Sequence, residues 1–443
     1  MTVIIMIAQM LLGLSLLVLL HEWGHFAAAR AFKIKVEKFY VFFDAWGKKL
    51  FSIKRGDTEY GIGWLPLGGY VKISGMVDES LDTAQLKSAP QDHEFRSKPA
   101  WQRLVVMLGG VTVNALLGVV IFSGMLIYWG EKYIPNTALE DGIAASELAQ
   151  ELGFETGDKL ISINGVEIVR FDEIVSSKVL LGENTRIGIQ RGTEAMEIIL
   201  PQNFTRRILD SDDKSVFVSP RLRFSVGEVI KGMPAEEAGF MAGDRIIDIN
   251  GIPISYFDEL QSQLKTVSGQ TADIAVLRDE ETIMLSVAVS EQGTIGFYPV
   301  TEPLAIGFKK YSFLAAIPAG ANMAWRVVAD NVKGFGKVFS GDIPVEKSIG
   351  GPIAIAKKMY GGEWQWYRFW MTTGLLSMIL AFMNLLPIPA LDGGHVMFLL
   401  IEMVIRRPLG EKVMLAAQYV GMVIVIALMI FAFGNDIWQH ILK

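Results

Sequence analysis

The fold turns on LLVLLHEWGHFAAAR, residues 16–30. The twenty residues up to Leu20 carry no charge, as expected of the first part of a membrane-spanning helix. His21, Glu22 and His25 follow directly. Ionisable groups at membrane depth are costly enough to be functional by default. On a helix, positions four apart differ by about 40° around the axis, so His21 and His25 point the same way. This is an H-E-x-x-H arrangement. Two imidazoles can hold one zinc ion, and Glu22 can act on water as a general base. The plain alternative is a helix that ends at the interface and lets these side chains snorkel among headgroups.

Composition fits a membrane protein with a soluble part. The 443 residues are 51% hydrophobic and 20% charged, too apolar for a wholly soluble chain and too charged for a wholly embedded one. Cysteine is absent, so there is no disulfide framework and any metal site must draw on His, Asp or Glu. The histidines are His21, His25, His93, His395 and His440. The net charge is −6 with no basic stripe, so no nucleic-acid partner is expected.

Four uncharged segments, 1–20, 104–130, 369–391 and 413–435, read as membrane spans. The first lacks a positive n-region and a convincing cleavage site, and reads as a retained span, not a signal peptide. Thirteen Lys and Arg fall between Arg30 and Arg103, and Arg406, Arg407 and Lys412 lie between the last two spans. After the last span there is only Lys443. This bias places both loops in the cytoplasm, and both termini and the 238 residues Glu131–Arg368 outside.

That outside segment contains a repeat. GFETGDKLISINGVEIVRFDEI (153–174) and GFMAGDRIIDINGIPISYFDEL (239–260) match at 12 of 22 positions, most simply two copies of one domain. In each, Gly-Asp makes a turn, an alternating Leu/Ile run a strand, Asn-Gly the next turn, and Phe-Asp-Glu opens a helix. Gly157, Asp158, Asn164, Gly165, Gly243, Asp244, Asn250 and Gly251 are expected to serve turns and packing. A peptide groove, if built by strand addition, is expected near Phe224–Val229.

A catalytic zinc keeps three protein ligands and one open position. The third ligand is sought in MNLLPIPALDGGH (383–395), where Pro387 and Pro389 stop a regular helix and free backbone groups at membrane depth. Asp392 follows the break, with Gly393-Gly394 to turn the chain. His395 competes with it by ligand type. YGIGWLPLGGYVKI (60–73) has a rough period of two around Pro-Leu-Gly-Gly and predicts a hairpin, whose edge is available to an unwound peptide.

HEWGH in the first span, the G-D-x-[IL]-x-x-[IV]-N-G core carried twice, and NLLPIPALDGG in the third span together resemble the site-2 proteases, zinc metalloproteases that cut inside membranes. The repeats themselves resemble PDZ domains. The resemblance covers essentially the whole chain in the same order of elements. It implies zinc held by His21, His25 and Asp392, with Glu22 catalytic. It implies Asn384 holding the substrate strand, and PLGGYV (Pro66–Val71) as a membrane-associated β-hairpin, with Gly68, Gly69 and Tyr70 near the substrate. It implies single-span substrates already trimmed outside by an upstream site-1-type protease, such as anti-sigma factors and remnant signal peptides. The PDZ pair would then act as a size filter. One departure stands in the second span: GGVTVN (109–114) carries Val111 where the family's G-P-x-x-N has Pro, which removes a kink.

The expected architecture is a polytopic α-helical membrane protein of four transmembrane helices in a bacterial inner membrane. It carries a periplasmic tandem of PDZ-like α+β domains and a membrane-associated hairpin. The first span (1–30) is followed by a cytoplasmic-side loop with the hairpin (31–102) and the second span (103–130). PDZ-like domains at 131–220 and 221–303 and an amphipathic helical segment at 304–366 come next. The third span (367–391), a short loop (392–411) and the fourth span with the tail (412–443) close the chain. A membrane scaffold holding partner tails through its PDZ domains, and a transporter with a broken midplane helix, are the competing readings.

Overall fold

The computed structural model describes residues 2–66, 68–76, 89–211, 217–348, 350–438 and 442. Leu67 of the Pro66–Val71 stretch, His440 and Lys443 lie outside the described residues. The chain forms two compact units: Met1–Glu131 with Lys309–Lys443, and Lys132–Phe308.

The first unit is built on long apolar helices. α1 spans Thr2–Ala31, and α2 spans Ala100–Tyr128. α3 spans Phe313–Phe339, α4 Trp366–Leu385, α5 Asp392–Ile405 and α6 Glu411–Ile437. Among the described residues, three stretches are long and apolar enough, by length and composition, to cross a membrane: α1, α2 and Lys412–Ile437. The segment expected as the third span, 369–391, is not one helix. α4 begins at Trp366, carries Arg368 in its first turn and ends at Leu385, where Leu386 turns to an extended ψ of 141°. Pro387 is the cause: its ring disfavours helical backbone at the residue before it. α2 runs unbroken past Val111, as expected of a helix without an internal proline.

Among the described residues, the two strands of the expected hairpin at 60–73 do not pair with each other. β1 (Val36–Tyr40), β2 (Lys49–Arg55), β3 (Thr58–Gly63) and β4 (Tyr70–Ile73) form one sheet in the order β2-β3-β1-β4. β1 lies between the two strands predicted to pair, parallel to β3 and antiparallel to β4. The true hairpin is β2–β3. Burial explains the insertion. Val36 of β1 and Val71 and Ile73 of β4 are buried in one core with Ala29, Val106, Met107 and Val396. Each such aliphatic side chain contributes about 1.5–3 kcal/mol when fully buried. This core binds the sheet to α1, α2 and α5, and Arg103 of α2 pairs with Glu402 of α5 beside it.

α3, within the segment 304–366 expected to be amphipathic and helical, is a single helix started by the Ser312 hydroxyl, which accepts from Ala315 N–H. Its small residues let it approach α2 closely: a Cβ on Gly320 would lie 2.3 Å from Ser123 Oγ, and Ala324 is buried among Ile121, Phe122 and Met125. Its other side exposes Leu314, Trp325 and Phe339.

The second unit contains two copies of one topology, each with its own core. In the first, Lys159–Ile163 sits between Val166–Glu167 and Arg186–Arg191, with Glu194–Ile199 outermost; in the second, Arg245–Ile249 sits between Ile252–Pro253 and Thr271–Arg278, with Glu281–Ala288 outermost. The repeated motif residues act alike in both. Asp158 and Asp244 have fully buried carboxylates, each gripped by an arginine fork, Arg191 at 2.8 Å and Arg278 at 2.6 Å. Each also accepts a backbone N–H three residues back, at 2.8 Å from Glu155 and Met241. Asn164 and Asn250 take left-handed backbone with φ of 52°, and their side chains accept from Arg186 and Asp273 N–H. Phe224–Val229, where a peptide groove was expected, is a strand bonded on one side along its length and on the other at Val226. It pairs with Phe297–Thr301 on one side, and Val226 exchanges backbone bonds with Asp244 and Gly243 on the other.

Candidate metal centre

His21 and His25 stand one turn apart on α1. Asp392 is the first residue of α5, delivered by the break after α4. Gly393 and Gly394 are helical and make no sharp turn, contrary to expectation. Their role is closeness: a Cβ on Gly393 would lie 2.2 Å from Leu386 O, and one on Gly394 would lie 2.6 Å from Ile388 O. The folded-back stretch 386–391 needs that space.

Three ligand atoms converge. His21 Nε2 lies 3.2 Å from His25 Nε2, and Asp392 Oδ2 lies 3.2 and 3.4 Å from them. Ligand atoms around a tetrahedral zinc stand roughly 3.3–3.5 Å apart, from bond lengths near 2 Å. The protonation pattern fits too. His25 Nδ1 is 2.8 Å from the carbonyl oxygen of Val106, which can only accept. Nδ1 therefore carries the proton and Nε2 keeps its lone pair. His21 Nδ1 faces the Asn114 amide at 3.2 Å, and Asn114 Oδ1 is otherwise buried without a partner. With the amide turned so that Oδ1 accepts from an Nδ1–H of His21, both groups are satisfied and His21 Nε2 is left a ligand as well. Asp392 Oδ2 is itself buried with no well-formed hydrogen bond. Three electron-pair donors aimed at one point are repulsive without a cation there.

α2 approaches these rings through glycine. A Cβ on Gly110 would lie 2.5 Å from His21 Cε1 and His25 Nε2, and Gly24 and Gly109 bring the two backbones together. Val106, Gly110 and Asn114 thus occupy one face of α2 at four-residue spacing and support both imidazoles. The sequence had marked Gly110 and Asn114 only as the remnant of a family motif.

A cavity of about 600 Å³ opens beside the ligands. Glu22, Tyr70, Gly69 and His395 line it. Gly68 does not. Its φ of 148° and a Cβ position 2.9 Å from the Phe43 ring make it a backbone requirement of the turn. His395 faces Gln418 of α6 at 3.1 Å and is outside the convergent group, which among the described residues is His21, His25 and Asp392. Asn384 lies with its amide 3.3 Å from His21 Nε2.

The sheet wall of the cavity is polar where it need not be. Lys38 Nζ contacts Asp44 Oδ2 at 2.8 Å, and Tyr70 donates to Asp44 Oδ1 at 2.8 Å. Burial by itself would raise the Asp44 carboxyl, but these two partners outweigh it and hold it below the usual carboxylate range. On the same sheet, Lys49 and Tyr40 hold the Glu59 carboxyl down at about 2.

The comparisons agree with this geometry. The family model described as Peptidase family M50 matches residues 9–428. A chain from Yersinia pestis called Protease RseP is 28% identical over 98% of this chain and 99% of its own length. The Haemophilus influenzae Regulator of sigma E protease is 28% identical over 97% and 98%. A Xylella fastidiosa chain called a putative zinc metalloprotease is 28% identical over 97% of both. These proteases use zinc, and the centre found between α1 and α5 is chemically suited to it. From the first helix to the last, the chain belongs to peptidase family M50, the site-2 proteases.

Proposed function

We propose that the chain is an intramembrane zinc protease that hydrolyses peptide bonds within the transmembrane segments of single-span proteins already trimmed by another protease. The convergence of His21 Nε2, His25 Nε2 and Asp392 Oδ2 beside a cavity walled by Glu22 carries the reading. α1, α2, α4 and α6 are the four crossings, with Arg368 at the water end of α4, in a bacterial inner membrane. Lys132–Phe308 is a tandem of PDZ-like domains on the periplasmic side with both termini. Relatives named for sigma E regulation point to membrane-bound anti-sigma factors as the substrate class.

Zinc, when bound by His21, His25 and Asp392, supplies Lewis-acid polarisation of the scissile carbonyl and acidifies water. Val106 O and Asn114 fix the two imidazoles so that Nε2 of each faces the ion. Glu22 takes the proton of the attacking water and passes it to the departing amine. A helical peptide bond is shielded by its own hydrogen bonds, so the substrate must unwind. Among the described residues β4 ends its sheet and its residues line the cavity, which sets it alongside the unwound strand. Gly68 and Gly69 hold the turn that brings Tyr70 to the wall, and Asn384 binds substrate backbone beside His21.

The test is cleavage of a trimmed single-span anti-sigma-type substrate in proteoliposomes by the native protein and by Glu22→Gln. Cleavage by the native protein alone supports the reading. Equal cleavage by both would sink it.

A further inference from the structure

The Lys38–Asp44–Tyr70 cluster is not explained by zinc chemistry or by strand pairing. We propose that it is a side-chain subsite selecting a carboxamide, Asn or Gln, in the unwound substrate near the scissile bond; this rests on the protease reading above.

Asp44 stands at the residue before a short helical turn, Ala45–Gly47, where an aspartate ordinarily caps the free N–H groups. Here its side chain makes no such bond. It is turned into the cavity instead, with one oxygen on Lys38 and the other on Tyr70. The arrangement is packed against aromatic rings. The Tyr70 ring stacks on Tyr40 and Phe43 at centroid distances of 5.5 and 5.9 Å, and Lys38 Nζ lies 5.9 Å over the Tyr70 ring. Both side chains line the cavity and are partly exposed, Lys38 at 34% and Asp44 at 18%.

Counting donors and acceptors defines the ligand. An ammonium has three N–H bonds and a carboxylate about four lone-pair sites. The pair therefore presents spare donors and spare acceptors 2.8 Å apart. A carboxamide carries an acceptor oxygen and a donor nitrogen roughly 2.3 Å apart from amide bond lengths, and meets both at once. A carboxylate or ammonium satisfies one head and repels the other. An aliphatic side chain strips water from both and returns nothing. A site built to hydrogen-bond its substrate rejects analogues that lack the group.

The experiment uses single-span peptides that differ only by Gln, Leu, Glu or Lys, moved one residue at a time across the scissile region. Binding is read by photo-crosslinking to the full-length Glu22→Gln protein in nanodiscs, and kcat/KM by cleavage with native Glu22. At one position Gln should exceed Leu by about tenfold or more. Lys38→Met and Asp44→Leu should each collapse that ratio toward one. The exchanged pair, Lys38→Asp with Asp44→Lys, keeps the charges together and should restore it. A Gln preference that is absent at every position, or that survives both single variants, overturns the subsite. Equal cleavage by Glu22→Gln and native protein overturns the protease reading instead, while the binding ratios still decide the subsite.

Discussion

Gly110 makes a sharp test of the site because a second glycine in the same helix predicts the opposite result. A Cβ at Gly110 would lie 2.5 Å from His21 Cε1 and His25 Nε2 and 2.7 Å from His21 Nδ1. Carbon contacts are comfortable at about 3.5–4.0 Å, so in Gly110→Ala the imidazoles must retreat by about 1 Å. Metal ligands tolerate about 0.2 Å, and disturbing the groups that orient them costs about 10–100-fold in metal affinity. Overpacking adds about 1–3 kcal/mol of destabilisation. A Cβ at Gly124 meets nothing within 4 Å, so Gly124→Ala removes only glycine's helix penalty and stabilises by about 0.5–1 kcal/mol. The assay is zinc titration of the detergent-purified protein against a chelating competitor, with Tm measured in parallel. Gly110→Ala should lose zinc affinity at least tenfold and lower Tm, and Gly124→Ala should do neither. Zinc affinity within about twofold of native in Gly110→Ala would refute the placement of α2 against the histidines.

Further outcomes follow from single contacts. Asn114→Leu removes the partner of His21 Nδ1 and should weaken zinc about 10-fold or more in the same titration. Asp436, near the end of α6, is buried and accepts from Gly351, Ile353 and Ala354 N–H at 3.0, 2.7 and 3.3 Å. Asp436→Ala should cost about 2 kcal/mol and free residues 350–354 to proteolysis; unchanged Tm and digestion would contradict that. In the second repeat copy, burial by itself would raise the Asp244 carboxyl, but Arg278 and the Met241 N–H outweigh it and hold it low. A depressed folded value contributes stability above the unfolded value near pH 4, lost as pH falls through the folded one. Amide exchange across 224–301 should therefore accelerate below about pH 4, and in Asp244→Asn the fast exchange should already be present at neutral pH.

Local chemistry was legible in the sequence. The four-residue spacing of His21 and His25 fixes their common face once α1 is a helix. Pro387 and Pro389 forbid a continuous helix up to Asp392. The two Gly-Asp and Asn-Gly turns recur with matching φ values because turn geometry depends on a few adjacent residues. What the tertiary structure decided are pairings between distant segments. The 60–73 alternation is real, but which strand lies beside β4 was set by a core shared with α1, α2 and α5, so β1 displaced β3. Gly393 and Gly394, read as turn residues, are helical and serve close approach, which no local pattern distinguishes. The placement of Asp392, not His395, against the histidines, the support from Val106, Gly110 and Asn114, and the Lys38–Asp44 pair on the cavity wall all depend on which helix and sheet faces meet. Backbone preferences act over a turn or two of chain; burial selects among the remaining arrangements through contacts hundreds of residues apart.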